Sequence, residues 1–271
     1  MFGESDAYAN SLYTLLDQSG DIYLYQCNET LPFGYVAPAG FELPEDEELN
    51  GLMLQTRLVL DLGMKGELFQ KMQAQQAKDD VVFVAEETGI YYAILTASGT
   101  GKVDYIGGAV ETESFRDLKR GSVLYLGKLE QGQTITLTNG DEEDATQKIS
   151  ADVYRMDEAV LEETLNMLSA QHLENVSWES DRISGEITLE REGRLILSVP
   201  YEDGWTVLIN GSEAERTTFG GCLMAFDLRE GQYTVEMDYV PVGQGVGLAV
   251  SGVSLLLFMA VIIYRKRNCK K

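Results

Sequence analysis

The sequence predicts a mainly β protein with some α: two β-sandwich or jelly-roll-like parts preceded by short helices, and one transmembrane helix at the carboxyl end. Three observations carry this reading. Between Val81 and Tyr154, period-two runs such as VVFVAEE, IYYAILTA and SVLYLGKL recur at short spacing, each bounded by Gly, Asn or Asp. Beyond Arg182, further alternating segments meet at Glu192-Gly193, Asn210-Gly211 and Glu230-Gly231, pairs that read as hairpin turns. From Val240 to Tyr264 there is no charged residue, and the apolar run Gly245 to Tyr264 matches the ~20 helical residues needed to cross a ~30 Å hydrocarbon core.

Residues 1–78 read as a mixed α/β opening segment. Asp21 to Tyr25 alternates as a short strand, and Leu31 to Tyr35 is broken by Pro32 and Gly34. Pro44 and the acidic run Glu45 to Glu48 open a helix whose Leu52, Thr56, Val59 and Leu60 share one face, with acids suited to the positive end of the helix dipole. A second short helix is expected from Glu67 to about Lys78. Residues 79–155 form the first sandwich. Residues 156–240 hold a connecting helix and a second β-rich domain: Asp157 fits the N-cap, and Leu161, Leu165, Leu168 and His172 fall on one helical face. In the last strand Val235, Met237 and Tyr239 face one way and Glu236 and Asp238 the other, so one side covers a core. Residues 241–264 are the membrane span and 265–271 a basic tail; the short linker at Pro241 and Gly243 holds the β-domain against the bilayer.

Charge bears on topology. The chain carries 44 acidic and 21 basic residues, and five of the bases are Arg265, Lys266, Arg267, Lys270 and Lys271; the remaining 16 bases against 44 acids leave a net charge of −28. So acidic a surface repels nucleic acid, which is excluded as a partner. Basic residues after a span stay on the cytoplasmic side, which puts the tail inside and the bulk of the chain outside a bacterial cell membrane. Yet MFGESDAYANSLYTLL has no basic or apolar export signal. The two ends agree if further spans precede this sequence.

Chemistry-bearing constellations are few. SGTGKVD, Ser98 to Asp104, lacks the first Gly of a phosphate loop and has Val103 where a hydroxyl is required, so it reads as a hairpin turn. His172 is the single histidine, which excludes a His-based metal cluster, and no GxSxG accompanies it. Neither Glu45 to Glu48 nor Asp141 to Asp144 has the spacing of a calcium loop, and they read as solvated runs. No catalytic residue, cofactor or metal ligand is assigned. Trp178, Trp205 and Tyr201 are the candidate glycan-stacking residues, weighed against the plainer role of core anchors. Cys27 and Cys222 read as free thiols, with one long-range disulfide as the alternative in an oxidising compartment. Sequons stand at Asn28, Asn175 and Asn210.

The stretch from Ser198 to Leu257, with its SVPYEDGW strand end, Asn-Gly turn, LREGQYTVE strand and Tyr-Val-Pro step into an apolar helix, resembles the carboxyl-terminal end of the YfhO family of bacterial membrane proteins. Upstream, YLYQCNETLPFGYVAP and LMLQTRLVLDLGMKGELFQKM are similar to that family's preceding segments. The resemblance implies a polytopic glycosyltransferase of the GT-C kind that decorates teichoic acid with sugar from a polyprenyl-phosphate carrier outside the membrane. Its catalytic acid is expected in an early loop that this chain does not contain. The partners implied are the lipid bilayer, an amino-terminal transmembrane portion of the same protein, and an envelope glycan polymer. The chain then acts as an acceptor-orienting or structural domain; a stand-alone single-span surface protein that binds glycan or protein is the rival.

Overall fold

The computed structural model describes residues 13–20, 22–44, 49–96, 101–108, 110–140 and 148–268. The chain divides into two compact units, one from Met1–Pro32 with Phe41–Ala170, the other from Phe33–Gly40 with Gln171–Lys271. The expected opening segment 1–78 is therefore not a body of its own. Its strands and helix are shared out between the two units.

In the first unit β1 (Tyr13–Ser19) and β2 (Ile22–Cys27) form an exposed antiparallel hairpin. The next strand, β3 (Gly34–Pro38), belongs to the second unit. Helix α1 (Gly51–Asp61) starts at Asn50, whose side-chain oxygen accepts the amides of Leu52 and Met53, and it buries Leu52 and Val59. This cap satisfies donors that a helix start leaves open. The acidic run Glu45 to Glu48 lies outside the described residues.

The helix expected from Glu67 to Lys78 is instead two strands, β4 (Phe69–Met72) and β5 (Gln75–Ala77). Gln, Lys, Met and Ala are good helix formers, but that preference is worth only about tenths of a kcal/mol per residue, and ladder bonds from two different sheets override it. The remaining strands of the unit are β6 (Asp80–Val84), β7 (Gly89–Leu95), β8 (Lys102–Gly107), β9 (Val110–Arg116), β10 (Val123–Leu129), β11 (Thr134–Asn139) and β12 (Ala151–Met156). They make two sheets, β10-β7-β12-β4 and β5-β6-β11-β8-β9, with every pairing antiparallel. Phe83, Tyr91, Leu95, Leu124, Ile135, Leu137 and Val153 form the core between them.

Strand β7 is buried on both faces. Tyr91, Ala93 and Leu95 enter that core, while Ile90 and Ile94 pack on the other side with Leu52 and Val59 of α1. Helix α2 (Glu158–Ser169) contributes Val160 and Leu161 to the same outer layer, and its N-cap is Asp157, as its sequence predicts. The segment containing SGTGKVD does not close a hairpin, because β7 and β8 lie in different sheets; residues 97–100 are outside the described set.

The second unit is also a sandwich. Its strands are β13 (Glu174–Trp178), β14 (Arg182–Leu189), β15 (Gly193–Pro200), β16 (Trp205–Ile209), β17 (Ser212–Glu213), β18 (Thr217–Phe219), β19 (Leu223–Leu228) and β20 (Gly231–Tyr239). One sheet runs β13-β14-β20-β16-β17 and the other β18-β19-β15-β3. Ile187, Leu195, Leu197, Val207, Met224, Phe226, Val235 and Met237 fill the space between.

Of the three expected hairpins one forms. Asn210 (φ 51°) and Gly211 (φ 74°) make the two-residue turn between β16 and β17, the left-handed pair that such a turn demands. At Glu192-Gly193 and Glu230-Gly231 the chain crosses from one sheet to the other instead. Strands on either side of a crossing send alternate residues into one shared core, so their period is the same as that of a hairpin. After β20 the chain enters α3 (Gln244–Asn268).

Candidate functional site

Two places hold side chains arranged for more than packing. The first is the end of the second sandwich from which α3 departs. Pro200 closes β15, and the Tyr201 amide donates to the Cys222 carbonyl at 2.7 Å. The chain then turns through Glu202 to Gly204 and resumes as β16, where Trp205 stands directly opposite Tyr239 of β20. Their rings pack at 4.8 Å. Tyr239 donates its hydroxyl to Glu202 Oε2 at 3.0 Å, and this bond holds the Tyr239 phenol above its ordinary pKa. Gly204 admits no side chain: a Cβ there would meet the Tyr239 ring at 2.5 Å and the Val240 carbonyl at 2.8 Å. Arg216 donates to the Glu202 carbonyl at 2.8 Å and lays its guanidinium over the Tyr201 ring at 5.2 Å. The Val240 amide donates to Gly204, so the corner is tied to the start of the linker.

Trp178 lies at the same end, on β13 opposite Ile183 of β14, and its ring meets Phe33 edge-on at 4.6 Å. Trp178, Trp205 and Tyr201 thus share one end of the fold, yet each ring packs on a different partner. His172, expected on the α2 face, lies beyond the end of that helix and bridges to Tyr35 of β3.

The second place is a cleft of about 600 Å³ in the first unit, within the size range of small-ligand sites. Met53, Arg57 and Leu60 of α1 form one wall, and Phe69, Lys71, Asp152 and Tyr154 of β4 and β12 the other. Lys71 Nζ pairs with Asp152 Oδ2 at 2.7 Å, which raises the lysine pKa, and Arg57 pairs with Asp61 at 2.9 Å. Asn50 donates to the Tyr154 hydroxyl at 3.2 Å while capping α1, so one side chain fixes both walls. Among the described residues no group of three or more His, Cys, Asp or Glu gathers as a metal site.

Residues 105–251 match the family described as bacterial membrane protein YfhO. The chain belongs to the YfhO family. The matched span runs from β8 into α3 and contains the whole Tyr201 to Trp205 corner. A curated YfhO relative, an uncharacterised protein of Bacillus subtilis (strain 168), is 24% identical over 116 residues, which is 43% of this chain and 13% of that protein. The chain thus corresponds to a small part of a much longer relative. Two solved structures of a GH2 beta-galacturonidase from Eisenbergiella tayi, one with galacturonate and one with glycerol, each superpose over 84% of this chain at 9% identity. They cover 35% and 34% of those chains with TM-scores of 0.20 and 0.18, too low to carry any inference.

In this YfhO-family chain Gln244–Arg267 is long and apolar enough to cross a membrane, with a mean hydropathy of 2.6 and none of it buried, and it is the one such helix among the described residues. Arg265, Lys266 and Arg267 end α3, while Lys270 and Lys271 lie outside the described residues. Cys27 and Cys222 are free and exposed. Sequence reasoning missed the cleft, because its walls come from α1 and from β4, which reads as helix. It found the SVPYEDGW stretch but not its partner Tyr239, since nothing local pairs two segments so far apart.

Proposed function

We propose that this chain is the extracytoplasmic carboxyl-terminal portion, with the last span, of a YfhO-type membrane glycosyltransferase. Its role is to hold or orient a glycan acceptor, of the teichoic acid kind, over a catalytic membrane region supplied by preceding spans. The observation that carries this reading is the family match together with its proportion: the curated relative is several times longer than the stretch that matches. The basic end of α3 supports a cell-membrane location with the sandwiches outside. The cleft beside α1 supports an acceptor seat, because Lys71 and Arg57 offer cations to an acidic polymer on a surface where acids otherwise prevail. Both are already paired with aspartates, which favours orientation over tight capture.

The test is transfer of sugar from a polyprenyl-phosphate donor to teichoic acid in vesicles. This chain alone is expected to transfer nothing. Activity should require the preceding membrane region and fall in a Lys71→Glu variant. Transfer by the isolated chain would overturn the proposal.

A further inference from the structure

The second sandwich has one aromatic end and one charged end. Register places Trp178 of β13 in one cross-strand row with Ile183, Met237 and Val207, and Trp205 with Tyr239 two residues further toward this end, past the row of Arg182, Asp238 and Thr206. The opposite sheet ends on the same side: Pro200 pairs with Leu223, the Tyr201 amide bonds Cys222, and the Ser198 amide bonds the Phe33 carbonyl. Phe33, Trp178, Tyr201, Trp205, Phe219 and Tyr239 therefore collect at this end. Trp178 is 59% and Tyr201 37% exposed. At the far end, where Leu189 pairs with Gly231 and Gly193 with Leu228, the loops read Glu190-Arg191-Glu192 and Arg229-Glu230, and the aromatic nearby is Tyr233.

The membrane helix leaves from the aromatic end. Tyr239 and Gln244 are separated by four residues that do not run extended, since the Gln244 amide donates to the Pro241 carbonyl at 3.0 Å. A turn of that kind brings its ends within about 7 Å. Val240 and Val242 of the linker are 58% and 78% exposed. The headgroup layer is about 5–8 Å deep on each side of the hydrocarbon, and Trp and Tyr concentrate in it because one part of each ring is apolar and the other forms hydrogen bonds.

We infer that this end is a membrane seat: the Tyr201 to Trp205 corner, Trp178 and the Val240 to Val242 linker lie in the lipid headgroup layer, with the charged end facing water. The lipid is zwitterionic. Glu179, Asp181, Glu202 and Asp203 stand at this end against Arg182 and Arg216, so anionic headgroups are not attracted. The inference rests on α3 being a span and holds whether or not the chain orients an acceptor.

Both tryptophans of the chain lie at this end, so the unmodified protein is the first probe. The full chain is inserted in phosphatidylcholine vesicles that contain lipid brominated near the headgroup. Its tryptophan emission should lose most of its intensity and resist quenching by aqueous iodide. Trp178→Phe and Trp205→Phe, which each leave one reporter, should both retain the loss. In a Trp178→Phe, Trp205→Phe background, Phe258→Trp reports the span and should be quenched, and Tyr233→Trp reports the far end and should not. Replacing a third of the phosphatidylcholine with phosphatidylglycerol should leave the loss unchanged. The inference is overturned if the Phe258→Trp reporter is quenched while the native tryptophans are quenched no more than the Tyr233→Trp reporter. It is equally overturned if soluble glycan, and not lipid, shields them from iodide.

Discussion

Removing the carboxylate of Asp227 should unfold the second sandwich far more readily than removing the guanidinium it faces. Arg194 of β15 and Asp227 of β19 are direct cross-strand partners joined by two parallel bonds, Nε to Oδ1 at 2.8 Å and Nη2 to Oδ2 at 2.7 Å. The Arg194 side chain is 8% exposed and that of Asp227 54%. Breaking a fully buried pair costs about 3–5 kcal/mol, because a charge is left in a dry site. Half of this pair meets water, so the loss for Asp227→Ala is discounted to about 1.5–3 kcal/mol. Arg194→Met removes the buried charge and keeps the aliphatic volume, and should cost less. Urea unfolding of the full chain in detergent, followed by tryptophan emission, is the assay, since both tryptophans belong to this unit. The bond from Arg194 also holds the Asp227 carboxyl below its ordinary pKa. A lowered acid contributes stability above its unfolded value of about 3.9, and that contribution is lost as pH falls through the folded value. Arg194→Met should therefore flatten this part of the acid limb. If Asp227→Ala costs less than about 0.5 kcal/mol, or less than Arg194→Met, the reasoning from burial fails.

Three further outcomes are expected. Gly204→Ala forces a Cβ into the Tyr239 ring and the Val240 carbonyl, and should destabilise the second unit by about 1–3 kcal/mol in the same urea assay. Asn50→Ala removes the cap of α1 and its bond to Tyr154, and should cost about 1 kcal/mol in the first unit, read by hydrogen exchange of α1 amides. Burial, with smaller contributions from Tyr13 and Glu158, pushes the Tyr92 phenol up to about 12. Stability from this group is complete below pH ~10 and falls as pH rises from there toward the folded value, by about 1.4 kcal/mol per unit; Tyr92→Phe should remove that dependence in an alkaline circular-dichroism titration.

What was legible in the sequence depended on how local its cause is. Asn210-Gly211 declares its turn because two adjacent residues must adopt positive φ, and Asp157 declares α2 because its own side chain bonds the next amides. The membrane helix is legible from composition alone. The strand at Phe69 was not, since its pairing partner Met156 is supplied by distant chain; Gln75 pairs with nearby Val82, but the Lys78-Asp79 turn between them carries no Gly or Asn to announce it. Sheet crossings at Glu192 and Glu230 were invisible for a related reason: alternation reports that a face is buried and says nothing of which sheet a strand joins. The corner at Gly204 was legible as a motif, but its purpose depends on Tyr239.

The sidedness of the chain is tested most directly by its own three cysteines. Single-cysteine versions that retain Cys27, Cys222 or Cys269 would be exposed to a membrane-impermeant maleimide in intact bacteria producing the chain from its native locus. Cys27, on the β1-β2 hairpin, and Cys222, on the second sandwich, are free and exposed, and Cys269 stands in the basic tail. Labelling of Cys27 in intact cells, with Cys269 labelled only after permeabilisation, is the expected result; Cys222, at the end of the second sandwich seated in the headgroups, should label from outside more slowly than Cys27. Labelling of Cys269 from outside, with the other two protected, would contradict an extracytoplasmic body closed by a final span.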